Sequence, residues 1–242
     1  EMATEGRPST AFAQEYLNDP ADDEHRKFKQ EWLWNPNREF SLSMLEGKTY
    51  DTYAAIDPAE SKNEGRDYTA AVVVAIERGT DTWYVLEAFK ARLDIRDLLE
   101  LVFRLWRQYA PYKIRQIGVA KKAFRDQVMP LLKQEGNLRR QYPMVVEVKE
   151  GSTNKLDRIL GVLQGRFEYG RIWFLKDALD ATENLRQELY DIPAAEHDDL
   201  ADALAGVGLL TQEQGSSTRR GKLLNELSPP DYSSAARNIV GA

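Results

Sequence analysis

The sequence contains no cysteine and only two histidines, His25 and His197. The first absence excludes disulfides, thiolate nucleophiles and zinc–thiolate sites. The second leaves too few imidazoles for a histidine-rich metal centre. No apolar run approaches the roughly 20 residues that cross a bilayer, and no signal-peptide pattern opens the chain, so no membrane partner is expected. No GxxxxGKS or GxxxxGKT loop occurs, which excludes that mode of nucleotide binding. Basic excess is missing too: 33 Lys and Arg stand against 39 Asp and Glu, a net charge of −6. Any contact with nucleic acid must therefore use local basic patches, and its affinity should depend steeply on salt. What remains, 42% hydrophobic and 10% aromatic residues in a chain of 242, fits one globular domain with appendages. A chain opening on Glu1 and not on Met is expected to be a piece of a longer protein.

The stretch from Asp51 to Phe89 organises the rest. Thr52–Ile56, Tyr68–Ile76 and Trp83–Phe89 are β-branched or aromatic runs separated by the polar connections ESKNEGRD and ERGTD, which predicts three antiparallel strands. Next come a helix over LDIRDLLELVFRLWRQYAP, a buried strand IRQIGV and a helix over KKAFRDQVMPLLKQEGN that ends at Gly136. Met144–Val148 is a further strand, and the capping cluster of GSTNKLDRILGVLQGRFEYG opens another helix. RIWFL, ALDATENLRQELYDI and EHDDLADALAGVGLLTQ read as strand, helix and a last helix with a small-residue face. Residues 1–48 are polar and irregular, their short amphipathic pieces needing another surface to pack on; 213–242 have the composition of a mobile tail. The order predicts a mixed α/β sheet, three antiparallel strands followed by parallel ones, with helices on both faces. A right-handed crossover places Ile114–Val119 parallel to and beside the first strand.

That first strand ends on Asp57, an acid at a strand tip directly before Pro58. A turn role would account for it by itself. A second acidic group, Glu196, Asp198, Asp199 and Asp202, surrounds His197 at the start of the last helix. First-turn acids complement a helix N-terminus. Asp202, however, is followed by Ala203, Leu204 and Ala205 and faces a packed region. Crowded carboxylates are normally neutralised by a hard cation, and oxygen-only ligands suit Mg²⁺ or Mn²⁺. Lys121, Lys122 and Arg125 follow the fourth strand, and Lys149, Lys155 and Arg158 open the next helix, flanking the same sheet edge. Each alone reads as a solvated surface charge; as two clusters flanking one acidic edge they suit clamping a DNA phosphate backbone, without reading bases.

IDPAESKNEGRDYTA, IRQIGV, STNKLDRILGVLQGRFEYGRIWF and HDDLADALA together resemble the nuclease domain of tailed-phage large terminases, within the ribonuclease H-like or retroviral integrase superfamily. The likeness covers roughly residues 45–212, and FAQEYLNDP with FKQEWLWN is similar to the end of the terminase ATPase domain and its linker. The resemblance implies a linker over 1–48, a ribonuclease H-like nuclease domain over 49–212 and a tail over 213–242. It implies an endonuclease that uses two Mg²⁺ or Mn²⁺ ions to cut concatemeric double-stranded DNA. Its partners would be the ATPase domain, the small terminase and the portal, and its place the host bacterial cytoplasm at the procapsid portal. Asp57 matches the first-strand metal ligand, and Asp198 or Asp199, preferably Asp199, matches the last-helix acids with Asp202 one turn on. Asp67 matches an acid before the second strand, where a turn role serves better. The family's fourth-strand acid falls at Ala120, a catalytic position without its carboxylate, by engineering or by natural variation, so the expectation is weakened or absent cleavage. A Holliday-junction-resolvase-like nuclease and a non-catalytic DNA-binding or docking module are the other readings.

Overall fold

A computed structural model describes residues 26–59, 68–120, 128–149, 151–195 and 197–215. Seven strands form one sheet in the order β1-β7-β4-β3-β2-β5-β6. At its centre β2 (Tyr50–Asp57), β3 (Thr69–Glu77) and β4 (Thr82–Ala91) are antiparallel. β5 (Ile114–Ala120) joins β2 in parallel, and β6 (Val145–Val148) joins β5 in parallel. On the other side β7 (Ile172–Leu175) runs parallel to β4, and β1 (Glu39–Phe40) parallel to β7. The antiparallel trio and the β2–β5 crossover are as the apolar pattern predicts. Between β3 and β4 the chain turns through Gly79 at φ +89°, a left-handed conformation open to glycine.

Side-chain alternation splits the sheet into two buried faces. Tyr53, Ala55, Val72, Val74, Trp83 and Val85 pack under α4 (Lys155–Glu168), α5 (Leu179–Asp191) and α6 (Asp199–Gly215). Ala54, Ile56, Val73, Tyr84, Ile117 and Val119 pack under α2 (Ile95–Gln108) and α3 (Met129–Arg139). α2 starts where the Asp94 carboxylate accepts the N–H groups of Arg96 and Asp97. α3 runs three residues past Gly136, where the composition predicts an end. Gly136 sits inside the helix because the chain returns over it: a Cβ there would lie 3.0 Å from the Gln141 carbonyl oxygen, and the left-handed cap falls on Arg140 instead.

The segment 26–48 finds its packing surface on this sheet. α1 (Gln30–Leu33) and β1 bury Phe28, Leu33, Phe40 and Leu45. Residues up to Leu210 make one compact unit; of the second, from Thr211 on, only the last turn of α6 is described. No described helix is long and apolar enough to cross a membrane.

Candidate active site

Because β2, β5 and β6 are parallel, their carboxyl ends lie at one end of the sheet, where ligands of such sheets bind. Asp57 shares the α6-facing side with Ala55 and Tyr53, two and four residues back. On β5 the buried Val119 faces the other way, which places Gly118 and Ala120 on the same side as Asp57. A Cβ on Gly118 would come within 2.8 Å of Val148 and Leu210 side-chain atoms, and one on Gly206 would stand 3.3 Å from the Ala55 Cβ. Helix α6 thus lies close over β2 and β5, and its N-terminal turn overhangs the strand ends.

There a cavity of about 20 Å³ opens between sheet and helix, lined by Asp57, Ala120, Arg158, Asp202, Ala203 and Gly206 among others. That volume has room for one water-sized occupant. Of the acids on the last helix it is Asp202, one turn beyond Asp199, that faces Asp57 and Ala120 across this space.

The remaining geometry is a lattice of opposite charges. Asn154 caps α4 by accepting the Asp157 N–H at 2.8 Å, which sets Lys155 and Arg158 three residues apart on one helix face. Arg158 grips both oxygens of Asp202 through Nη2 at 2.7 Å and Nε at 3.0 Å. The Lys155 ammonium lies 2.7 Å from Asp198, 3.7 Å from Asp202 and 3.8 Å from Asp199. Burial works against that ammonium, but the hydrogen bond to Asp198 and the charges of Asp202, Asp198 and Asp57 outweigh it and hold its pKa above the ordinary lysine value. On the far side Lys90 bonds Glu188 at 2.7 Å and Asp199 at 3.1 Å. Glu188 in turn accepts the N–H groups of Leu200 and Ala201, so the first turn of α6 is capped from α5 and its own aspartates keep their oxygens for cations. In the Lys90–Glu188 pair burial pushes both groups toward neutrality. The acid is lifted on balance, whereas for Lys90 the two carboxylates win and raise its pKa; three donors on one carboxylate favour the ionised pair.

Asp57, Ala120, Asp198, Asp199 and Asp202 therefore gather at one end of the sheet, with Asp57, Ala120 and Asp202 lining one cavity. Among the described residues no three acidic or imidazole groups stand close enough to hold an ion as placed, since Lys155 and Arg158 come between them. Lys155 and Arg158, read from sequence as backbone clamps, turn toward carboxylates because the acids of α6 reach the same point in space. Lys149 is exposed just past β6, and His197 sets its ring edge-on to Tyr68, with centroids 5.9 Å apart. Lys121, Lys122, Arg125 and Asp67 lie outside the described residues. Lys90 and Glu188 are the charged residues the sequence reading missed. Their only signal was a charged residue among the buried positions of β4 and α5.

Residues 54–207 match the model of a family described as the terminase RNaseH-like domain. Comparison with curated proteins finds no match. Among solved structures the chain is similar to the human cytomegalovirus terminase nuclease domain, with a TM-score of 0.56 and 15% identity over 76% of this chain and 94% of that one. The same domain soaked with Mn and bound to an inhibitor gives a TM-score of 0.54 and 14% identity over 76% and 94%. A point mutant of gp2c, from the large terminase subunit of bacteriophage Sf6, solved with calcium, gives 0.51 and 14% over 76% and 98%. At such identities the structural likeness is one of fold. The family match is what decides: it takes in more than half of the chain and runs from β2 into α6, enclosing Asp57, Ala120 and Asp202, and by it the chain belongs to the terminase RNase H-like domain family.

Proposed function

We propose that this chain is the nuclease domain of a phage large terminase, a divalent-metal-dependent endonuclease acting on concatemeric double-stranded DNA and weakened by Ala120. The observation that carries the reading is the meeting of Asp57 and Asp202 in one cavity at the strand ends, inside the segment matched by the family. The donors are carboxylate oxygens throughout, which fits Mg²⁺ or Mn²⁺. Asp57 and Asp202 would hold an ion, joined by Asp198 or Asp199 as Lys155 gives way. A metal bound there would activate water and stabilise charge on the phosphate oxygens. Arg158 keeps Asp202 oriented toward the cavity, and Lys155 supplies positive charge next to where a phosphate would sit. The structures solved with Mn and calcium support divalent-ion use. A second ion would need a ligand where Ala120 stands. Partnership with the ATPase domain, small terminase and portal, a place at the procapsid in the bacterial host, and domain limits near 48 and 212 belong to the same proposal.

One observation favours a second reading, a non-catalytic DNA-binding or docking module: the α6 carboxylates are already ion-paired, and an alanine lines the cavity. Calorimetric Mn²⁺ titration and plasmid nicking separate the two. We expect the chain to bind Mn²⁺, Asp57→Asn to abolish that binding, and Ala120→Glu to raise nicking at least tenfold from a slow or undetectable baseline. Absence of Mn²⁺ binding and of nicking in both chains would establish the module instead. Strong nicking by the unaltered chain, unchanged by the glutamate, would assign the fourth-strand role to another acid such as Asp67, or Asp126 in the sequence just after β5.

A further inference from the structure

We infer that Arg92, held on the ring of Tyr68, is a positioning residue that binds a backbone phosphate of double-stranded DNA beside the acid cluster; this rests on the nuclease reading above. Arg92 follows β4, and Tyr68 precedes β3. Since β4 is antiparallel to β3, which is antiparallel to β2, both residues lie at the same end of the sheet as Asp57 and Ala120. They also lie on the same face. The β3–β4 register shifts between Val73 and Val74, a bulge that places one extra residue in β4. Val74 then pairs with Val85 but Ala70 with Lys90, so the even-numbered end of β4 turns to the face that carries α6. Without that extra residue, Lys90 and Arg92 would point with Tyr84 and Leu86 to the opposite side.

The consequence is a short polar row. The Arg92 guanidinium lies 4.8 Å from the Tyr68 ring centroid and the Lys90 ammonium 5.2 Å from it, while His197 meets the same ring edge-on. Lys90 is consumed by Glu188 and Asp199. Arg92 is different: it is exposed, and among the described residues no carboxylate pairs with it. A guanidinium stacked on an aromatic face keeps its in-plane N–H donors directed outward, the geometry that meets phosphate oxygens two at a time. Lys90 is level with Asp57 across two strand spacings, and Arg92 lies two residues beyond it, roughly 12 Å from Asp57 between backbones, a distance one strand of a duplex covers within about two to three nucleotides. A strand laid with one phosphate at the Asp57–Asp202 cavity would thus bring a flanking phosphate to Arg92. His197, exposed between Tyr68 and Asp198, lies along the way.

The test uses the full chain and a fluorescent duplex, with affinity measured by anisotropy across a salt series in EDTA, so that no metal enters. Arg92→Ala should weaken binding about tenfold at low salt for unrelated sequences alike and reduce the slope of log K against log salt by about 0.9, the loss of one phosphate contact. Tyr68→Ala should reproduce part of that loss by unseating the guanidinium, whereas Tyr68→Phe, which keeps the ring, should bind like the parent. Mn²⁺ titration of Arg92→Ala should match the parent. Unchanged affinity and slope in Arg92→Ala, equal losses in Tyr68→Phe and Tyr68→Ala, or no duplex binding by the parent chain would each overturn the assignment. Failure of the nuclease reading is seen separately, as absent Mn²⁺ binding with the Arg92 effect intact.

Discussion

Arg158 and Asp202 meet with the planar fork of one against both oxygens of the other, each side chain at most 10% exposed. Breaking such a pair leaves a charge in a poorly hydrated place, which costs more than the pair contributes. Arg158→Ala is therefore expected to lower unfolding free energy by about 3 kcal/mol. Arg158→Lys should lose less, since a point charge keeps the attraction but not the two-pronged contact. Urea denaturation checks both, and a loss well under 1 kcal/mol in the alanine variant would mean that Lys155 compensates. At this scale the sequence was half legible. Asp57 stood out at a strand tip, and Asp199 and Asp202 by helical spacing. What could not be read was which of the two would face the cavity, because that depends on how α6 is rotated over Ala55 and Gly118. Nor could it be seen that Lys155 and Arg158 answer those acids. Basic residues at a helix start look like a phosphate cradle until another helix brings carboxylates to them.

Asp51, at the opposite end of β2 from Asp57, ties three strands together. It accepts from Arg78 beyond β3 at 2.6 Å and from Arg115 of β5 at 2.5 Å. Burial works against its charge, yet the two guanidiniums outweigh that and hold the carboxyl below its usual range. A depressed folded pKa contributes stability that is complete above the unfolded value, about 3.9, and is lost as pH falls through the folded one. Asp51→Asn should thus lower the urea midpoint at pH 6, by the equivalent of about 1 kcal/mol given the exposed arginines. Below pH 4 the difference from the parent should shrink. A gap that does not narrow as pH falls would show that the asparagine harms packing and not charge. The trio β2, β3 and β4 and the place of β5 beside β2 were legible, since β-branched runs and polar turns mark them directly, whereas the two-residue β1 and the pairing of β7 with β4 were not. Nor was the bulge in β4. Alternation counts residues, and one extra residue reverses every later side chain without leaving a mark in composition, which is why Lys90 and Arg92 went unnoticed. Gly136 misled for a related reason, its place set by the returning chain and not by a helix end.

Across the whole molecule the net charge of −6 conceals a nearly balanced centre, where Lys90, Lys155 and Arg158 stand among Asp198, Asp199, Asp202 and Glu188. Domains whose folding depends on a bound metal come apart under chelators, whereas here the acids of α6 are already neutralised by Lys90, Lys155 and Arg158. This one should not. EDTA is expected to move its thermal midpoint by less than about 1 °C, while added Mn²⁺ should raise it by mass action. Scanning calorimetry with and without chelator decides, and a fall of several degrees in EDTA would mean that an ion is part of the fold. The Lys155 ammonium then behaves as a placeholder. On the nuclease reading proposed above, a domain that carries its own placeholder would be synthesised, folded and docked in an inert condition, and its arming would become a matter of ion supply and competition for one small space.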